Sequence, residues 1–199
     1  MTGPARLVLV RHALTAASGV RVIGRLEEEL NEEGRAQAER LAERLAAEPV
    51  AAVYTSPLAR ALETARPLAR RLGLEPAVVP DLRELDFGEL EGLTLAEVES
   101  RHAAYLHWTD APAAVAFPGG ETVAGLARRA VAAVRAIAAA HAGETAVVVS
   151  HGVTLRAVLA DALGMELDRM FRLDLAHGAA STVEWFGERP LVRAVNVAF

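Results

Sequence analysis

The chain has 199 residues, 52% of them hydrophobic, and a formal net charge of −5, which suits one domain with a substantial core and argues against a general binder of nucleic acid or membrane surface. It has no cysteine, and all 21 basic residues are arginine. Disulfides, thiolate metal sites, cysteine nucleophiles, Walker A loops and lysine Schiff bases are thereby excluded.

In chain order, ARLVLV (5–10) predicts a buried first strand that runs into Arg11 and His12. A helix follows over 31–48, with Asn31 as N-cap and acidic residues in its first turn. VAAVYT (50–55) predicts the second strand. The helix over 56–73 takes Ser56 as N-cap, Pro57 in its first turn and Gly73 as its stop, with Pro67 expected to kink or split it. A third strand is expected at PAVVP (76–80). Residues 93–120 look irregular, a lid-like insertion with His102, Tyr105, His107, Trp108 and Phe117, closed by Pro118, Gly119 and Gly120. A long amphipathic helix spans 119–143, TAVVVS (145–150) is the fourth strand, and a helix over 152–164 follows at once. STVEWF (181–186) and LVRAVNV (191–197) form an edge hairpin turning at GERP. This alternation predicts an α/β fold, a three-layer α/β/α sandwich with a mainly parallel central sheet, built as a single domain over 1–199.

Three polar clusters fall at the carboxyl ends of predicted strands: Arg11-His12, Thr55-Ser56-Pro57 with Arg60, and Ser150-His151-Gly152. Ligands of parallel α/β sheets bind at this edge. Arg11 and Arg60 offer planar forks that match phosphate oxygens, and Gly152 permits close backbone approach. Two arginines, two histidines and a helix end make a dianion site, and phosphate is the obvious dianion.

These residues carry a resemblance that spans nearly the whole chain. LVLVRHALT (7–15), IGRLEEELNEEGRAQA (23–38), VYTSPLARALETA (53–65), LRELDFGELEG (82–92), FPGGET (117–122) and VVVSHGVTLR (147–156) resemble, in order, the motifs of the histidine phosphatase superfamily, the phosphoglycerate mutase-like fold. Within it the chain is similar to the phosphatase branch, with α-ribazole phosphatases and broad-specificity phosphatases nearest. The resemblance implies that His12 is a nucleophile forming phosphohistidine and that Arg11, Arg60 and His151 hold the phosphoryl group. Glu84 becomes the acid for the leaving alcohol, with Asp86 as its rival. Thr15, Gly24 and the Gly152-Val153 backbone would line the phosphate pocket.

Physical chemistry supports this division. A neutral imidazole attacks phosphorus through one nitrogen only if its other N–H is held, as by a backbone carbonyl. Surrounding cations help keep it unprotonated. A carboxylic acid donating near neutrality needs its proton favoured, by apolar company such as Leu85 and Phe87 or by the arriving dianion.

Ala13 and Leu14 depart from the family's glycine and its usual Glu or Gln, and Ala13 is strained only if the turn needs positive φ. Ala16 and Ala17 make the leaving-group side more apolar, and Glu27 or Glu28 replaces an aspartate. The expected activity is hydrolysis of a small phosphomonoester, without cofactor or metal. The alternatives are a phosphoglycerate mutase and, in another class, a non-catalytic phosphate-binding module. No metal-ligand motif appears, and two arginines would repel a divalent cation. His177 is a candidate wall residue of the pocket. His102 and His107 read as surface or lid residues, and His141 as a helix-end partner. A cytoplasmic location is expected from the lack of a signal-peptide pattern or a long apolar run. No nucleic-acid or membrane partner is expected, and the edge hairpin is open to pairing in a homodimer.

Overall fold

The computed structural model describes residues 3–199. Its elements are β1 (Ala5–Arg11), α1 (Glu32–Leu45), β2 (Val50–Thr55), α2 (Ala59–Leu72), β3 (Ala77–Val78), α3 (Leu95–Arg101), α4 (Val123–Ala140), β4 (Thr145–Ser150), α5 (Gly152–Ala162), β5 (Ala180–Phe186) and β6 (Arg189–Val197). One six-stranded sheet runs in the order β3-β2-β4-β1-β5-β6. The first four strands in that order are parallel and the β5–β6 hairpin is antiparallel, so the sheet is mixed but mainly parallel, as expected.

Alternation along the strands divides the core. Leu7, Leu9, Ala146 and Val148 pack against Ala130, Val134 and Ile137 of α4 and Leu155 and Leu159 of α5. Val8, Val10, Val147 and Val149 turn the other way, onto Leu41 and Leu45 of α1 and Ala61, Ala65 and Leu68 of α2. Both faces of the sheet are covered, which is why these strands read as unbroken apolar runs. Strand β4 arrives late in the chain and inserts between β1 and β2. Arg11 therefore stands in register with Ser150, and the carboxyl ends of β1, β4 and β2 lie side by side.

Several boundaries differ from the sequence reading. Asn31 does cap α1, its side chain accepting from Gly34 N at 2.7 Å. Helix α2, however, begins at Ala59 rather than at Pro57, and Leu58 in the cap position makes no side-chain bond. Glu27 Oε2 instead accepts the Ala59 N–H at 3.0 Å, a carboxylate from another segment on the helix's positive end. Ser56 stands ahead of the helix, its Oγ accepting from Leu58 N and meeting His151 Nε2, described below. Pro67 lies buried inside α2 and does not split it. Strand β3 is two residues long, and α4 starts after the cap Thr122, which accepts from Gly125 N.

The 93–120 segment is more regular than expected. Thr94 and Glu97 form a reciprocal capping box at the start of α3, and three single 3₁₀ turns follow at Ala103–Tyr105, Trp108–Asp110 and Pro112–Ala114. Phe117 centres its packing, with ring centroids 4.8 Å from Phe87 and 5.4 Å from Trp108 and Tyr105.

A glycine ties this segment to the loop bearing Glu84. Gly88 has φ +54°, and a Cβ there would lie 2.1 Å from the Pro118 carbonyl oxygen. Glu89 N donates to that carbonyl at 3.0 Å, and Glu121 N to the Asp86 carbonyl at 3.0 Å. Gly88→Ala is expected to lower stability by about 2 kcal/mol or more in urea denaturation, since it combines left-handed strain with a backbone clash.

Candidate active site

At the carboxyl edge of the sheet a cleft of about 230 Å³ is lined by Arg11, His12, Gly24, Arg60, Glu84, Val153 and His177, and on its outer side by Ser18, Gly19, Arg21, Val22, Ile23, Phe87 and Trp108. His12 follows β1 and is 5% exposed. Its Nδ1 lies 2.8 Å from the Ala13 carbonyl oxygen, which can only accept, so Nδ1 carries the proton and Nε2 keeps its lone pair. Burial, then the charges of Arg60 and Arg11, hold His12 well below the usual histidine range, so at neutrality it is uncharged.

The two arginines are anchored by backbone. Arg60 is 1% exposed; Nη1 donates to the Leu26 carbonyl at 2.9 Å and Nη2 to that of Gly24 at 2.6 Å. Arg11 Nη1 donates to the Leu175 carbonyl at 2.5 Å, and Nη2 to His177 Nε2 at 2.9 Å. Accepting at Nε2 leaves the His177 proton on Nδ1, which donates to the His12 carbonyl at 3.2 Å. Burial lowers both guanidinium pKa values, that of Arg11 to about 10, and both stay cationic at neutrality.

His151, between β4 and α5, is fully buried, with its ring centroid 5.2 Å from that of His12. Ser56 Oγ accepts from Leu58 N and lies 2.7 Å from His151 Nε2. With the hydroxyl proton donated to Nε2, the ring's own proton is left on Nδ1, the state in which it can donate to an oxyanion. Burial and then Arg60 push His151 well below the usual range too. Arg11 Nε, Arg60 Nε and His151 Nδ1 are buried nitrogens without a protein partner, and Arg25 Nε is the fourth among the described residues; Arg11 and Arg60 line the cleft, whereas His151 stands behind His12 and Arg25 lies outside.

Glu84 is 8% exposed and sits on the amino end of α5. Oε1 accepts from Leu85 N at 2.9 Å, Thr154 N at 3.1 Å and Thr154 Oγ1 at 3.0 Å, while Oε2 accepts only from Val153 N at 3.0 Å. The apolar company expected from Leu85 and Phe87 is therefore only part of its surroundings. Asp86, the rival acid, is committed to Arg25 at 3.1 Å and to Gly88 N, and is not part of the cleft lining.

Other expected residues are placed differently. Thr15 is buried behind the cleft, its hydroxyl and N–H both on Ser18 Oγ at 3.1 Å, and its carbonyl on Asn31. The Val153 N–H is spent on Glu84. Gly152 faces Arg11, where an added Cβ would stand 3.2 Å from Nε. Gly24 lines the cleft with φ +53°. Ala13 does not have positive φ, and its methyl packs on Leu30 and Ala38, so it carries no backbone strain. Ala16 and Ala17 are absent from the lining, so the apolar outer wall comes from Val22, Ile23, Phe87 and Trp108 instead. His102 and His107 also lie off the cleft, and His141 caps α4 between Tyr54 and Glu144. Arg129 was not singled out from sequence. It pins the Glu84 loop by donating to the carbonyls of Asp81, Arg83 and Glu84 while paired with Glu121 at 2.7 Å.

Comparison with known proteins places the chain in a family. The family model described as "Histidine phosphatase superfamily (branch 1)" matches residues 7–198. Phosphoserine phosphatase 1 of Hydrogenobacter thermophilus is 31% identical over 194 residues, 96% of this chain and 92% of that protein. The native structure of mycobacterial glucosyl-3-phosphoglycerate phosphatase superposes with a TM-score of 0.89 at 29% identity, covering 98% of this chain and 100% of the other. The α-ribazole phosphatase of Shigella flexneri gives 0.87 at 25% identity, with 96% of each chain covered.

His177 is also depressed, to about 4, by burial and then by Arg11. The unfolded chain binds these three histidine protons near pH 6.5, so it holds more protons than the folded state just below that pH. Folding stability from urea melts is therefore expected to fall as pH drops from about 6.5 towards 4. His177→Gln keeps an acceptor for Arg11 and a donor for His12 and should make that decline shallower; an unchanged slope would contradict the assignment.

Proposed function

Because this chain belongs to the histidine phosphatase superfamily and is a phosphomonoesterase, we propose that it hydrolyses small phosphorylated metabolites through a phosphohistidine on His12. The observation that carries this reading is the set of three unpartnered buried nitrogens, on Arg11, Arg60 and His151, around an imidazole whose free nitrogen is Nε2. Buried donors without partners are costly unless a ligand satisfies them, and a phosphoryl group offers three equatorial oxygens for three donors.

The His12 Nε2 lone pair attacks phosphorus as the bond to the leaving oxygen breaks, and that oxygen takes a proton from Glu84. Oε2, with a single partner, has room for the proton. Water then gives a proton back to Glu84 and its oxygen attacks phosphorus, the P–N bond breaks, and phosphate leaves. His177 holds Arg11 rather than the substrate.

The leaving group would meet Val22, Ile23, Phe87 and Trp108, with Arg21 at the mouth. Glu84 is the one carboxylate among the described lining residues and is already bonded on both oxygens. With Glu84 engaged as the proton donor to the leaving oxygen, a phosphoserine ammonium group finds no second carboxylate among the described lining residues, whereas a flat, ring-bearing alcohol finds the apolar side chains of Val22, Ile23, Phe87 and Trp108. The reading favours ring-bearing phosphates, such as the one named for the Shigella relative, over the amino acid named for the Hydrogenobacter one. It also has the 93–120 segment cover the leaving group within a single domain, and the enzyme act in the cytoplasm. No helix among the described residues is long and apolar enough to cross a membrane.

Labelled phosphomonoester quenched in alkali should trap an acid-labile phosphoenzyme that disappears in His12→Ala. Release of free phosphate without isomerised phosphoglycerate distinguishes hydrolase from mutase, and binding without turnover would support a recognition module. Glu84→Gln is expected to cost about 10²–10⁴-fold in kcat/KM with alkyl phosphates, and far less with p-nitrophenyl phosphate, whose leaving group needs no proton. In a phosphomonoester panel, ring-bearing substrates should lead and Trp108→Ala should erase their advantage. A clear preference for small sugar-acid phosphates would overturn the substrate assignment.

A further inference from the structure

Among the described non-glycine residues, Asn196 alone has positive φ, at +59°. It lies on the outer strand β6, where the register with β5 slips: Ala180 pairs with Val197 but Thr182 pairs with Ala194. Val195 and Asn196 together therefore oppose Ser181, a β-bulge that re-aims a side chain. The Asn196 N–H donates to Ser181 Oγ at 3.1 Å, which fixes the bulge to the buried strand next to β1.

The re-aimed carboxamide spans the loop that follows the 3₁₀ stretch Leu167–Arg172. Its Oδ1 accepts the Ala176 N–H at 2.6 Å, and its Nδ2 donates to Asp174 Oδ2 at 3.2 Å. Between those two anchor points stands Leu175, whose carbonyl receives Arg11 Nη1. One residue beyond them stands His177, which receives Arg11 Nη2. One terminal nitrogen of Arg11 is thus held by the three-residue stretch that Asn196 clasps, and the other by the residue that directly follows it. Left-handed backbone in a non-glycine residue is uncommon and recurs where a conformation serves function, and asparagine is among the few side chains that tolerate it.

We propose that Asn196 is a positioning residue for Arg11: the clasp on residues 174–176 sets the Leu175 carbonyl and the His177 ring, and through them the guanidinium that grips the phosphoryl group. This rests on the role given to Arg11 above. Asn196 itself is outside the cleft and touches no substrate.

A double-mutant cycle tests it. Asn196→Gly keeps the left-handed backbone and removes only the side-chain clasp, and Arg11→Gln removes the group being positioned. The readouts are kcat/KM with p-nitrophenyl phosphate and the inhibition constant of inorganic phosphate, at a temperature where each protein is shown folded by its melting curve. N196G is expected to lower kcat/KM and phosphate affinity by about tenfold each, yet to change either by less than about twofold in the R11Q background. Asn196→Asp alone sets a carboxylate against Asp174 and should recover nothing, whereas Asn196→Asp combined with Asp174→Asn exchanges donor and acceptor, keeps both bonds of the clasp and should recover most of the loss. Should N196G melt below the assay temperature, Asp174→Ala passes through the same cycle and is compared with Asp174→Asn, which removes the same negative charge near Arg11 but keeps an acceptor for Nδ2; only a loss specific to Asp174→Ala supports the clasp, and equal losses in the two overturn it. Equal losses in both backgrounds, or no loss in N196G, would overturn the clasp while leaving the site intact. An R11Q enzyme with undiminished kcat/KM would instead overturn the role of Arg11, and the clasp with it.

Discussion

The structure depends on keeping two guanidinium groups buried and charged without a carboxylate directly paired to either. Arg11 and Arg60 are held by carbonyl oxygens of Leu175, Gly24 and Leu26 and by a neutral imidazole. Carbonyl dipoles offset part of the desolvation cost but leave the net positive charge in place. A bonded carboxylate would have stabilised the empty protein more and gripped phosphate less. Glu84 is the nearest counter-charge, and it is turned onto the amino end of α5 rather than onto either arginine.

That arrangement constrains the neighbouring groups. Three imidazoles remain uncharged at neutrality because burial and the two cations act in the same direction. The tautomers of His12 and His177 are set by what a ring nitrogen meets, a carbonyl for one and a guanidinium for the other. Sheet order matters for the same reason. With β4 beside β1, Arg11 and Ser150 share a register and the two histidines that follow lie in ring contact.

Much of this was legible in the sequence because it is local. Apolar runs marked β1, β2 and β4, and the polar residue after each run marked the site edge. What stayed hidden is set by bonds between distant segments, which local patterns do not carry. Ser56 reads as an N-cap, but α2 starts three residues later, where Glu27 from a distant segment accepts the Ala59 N–H, and Ser56 meets His151, 95 positions away. Thr15 and the Val153 N–H were expected at the phosphate, but nearer partners, Ser18 and Glu84, claim them. The 93–120 segment looked irregular because its turns are too short to show periodicity, although the Thr94–Glu97 pair was a readable helix start. Asn196 carried no signal, since a bulge depends on the partner strand.

The central place of β1 has a consequence for biosynthesis. Its two neighbours in the sheet are Thr145–Ser150 on one side and Ala180–Phe186 on the other. Translation proceeds at about 5–20 residues per second, so the first strand emerges from the ribosome on the order of ten seconds before either neighbour is available. Throughout that interval the nucleophile exists without the groups that would make it reactive. Nascent chains are thus inert towards the phosphate esters around them, and the same unpaired Val- and Leu-rich strand is the segment a chaperone would have to shield.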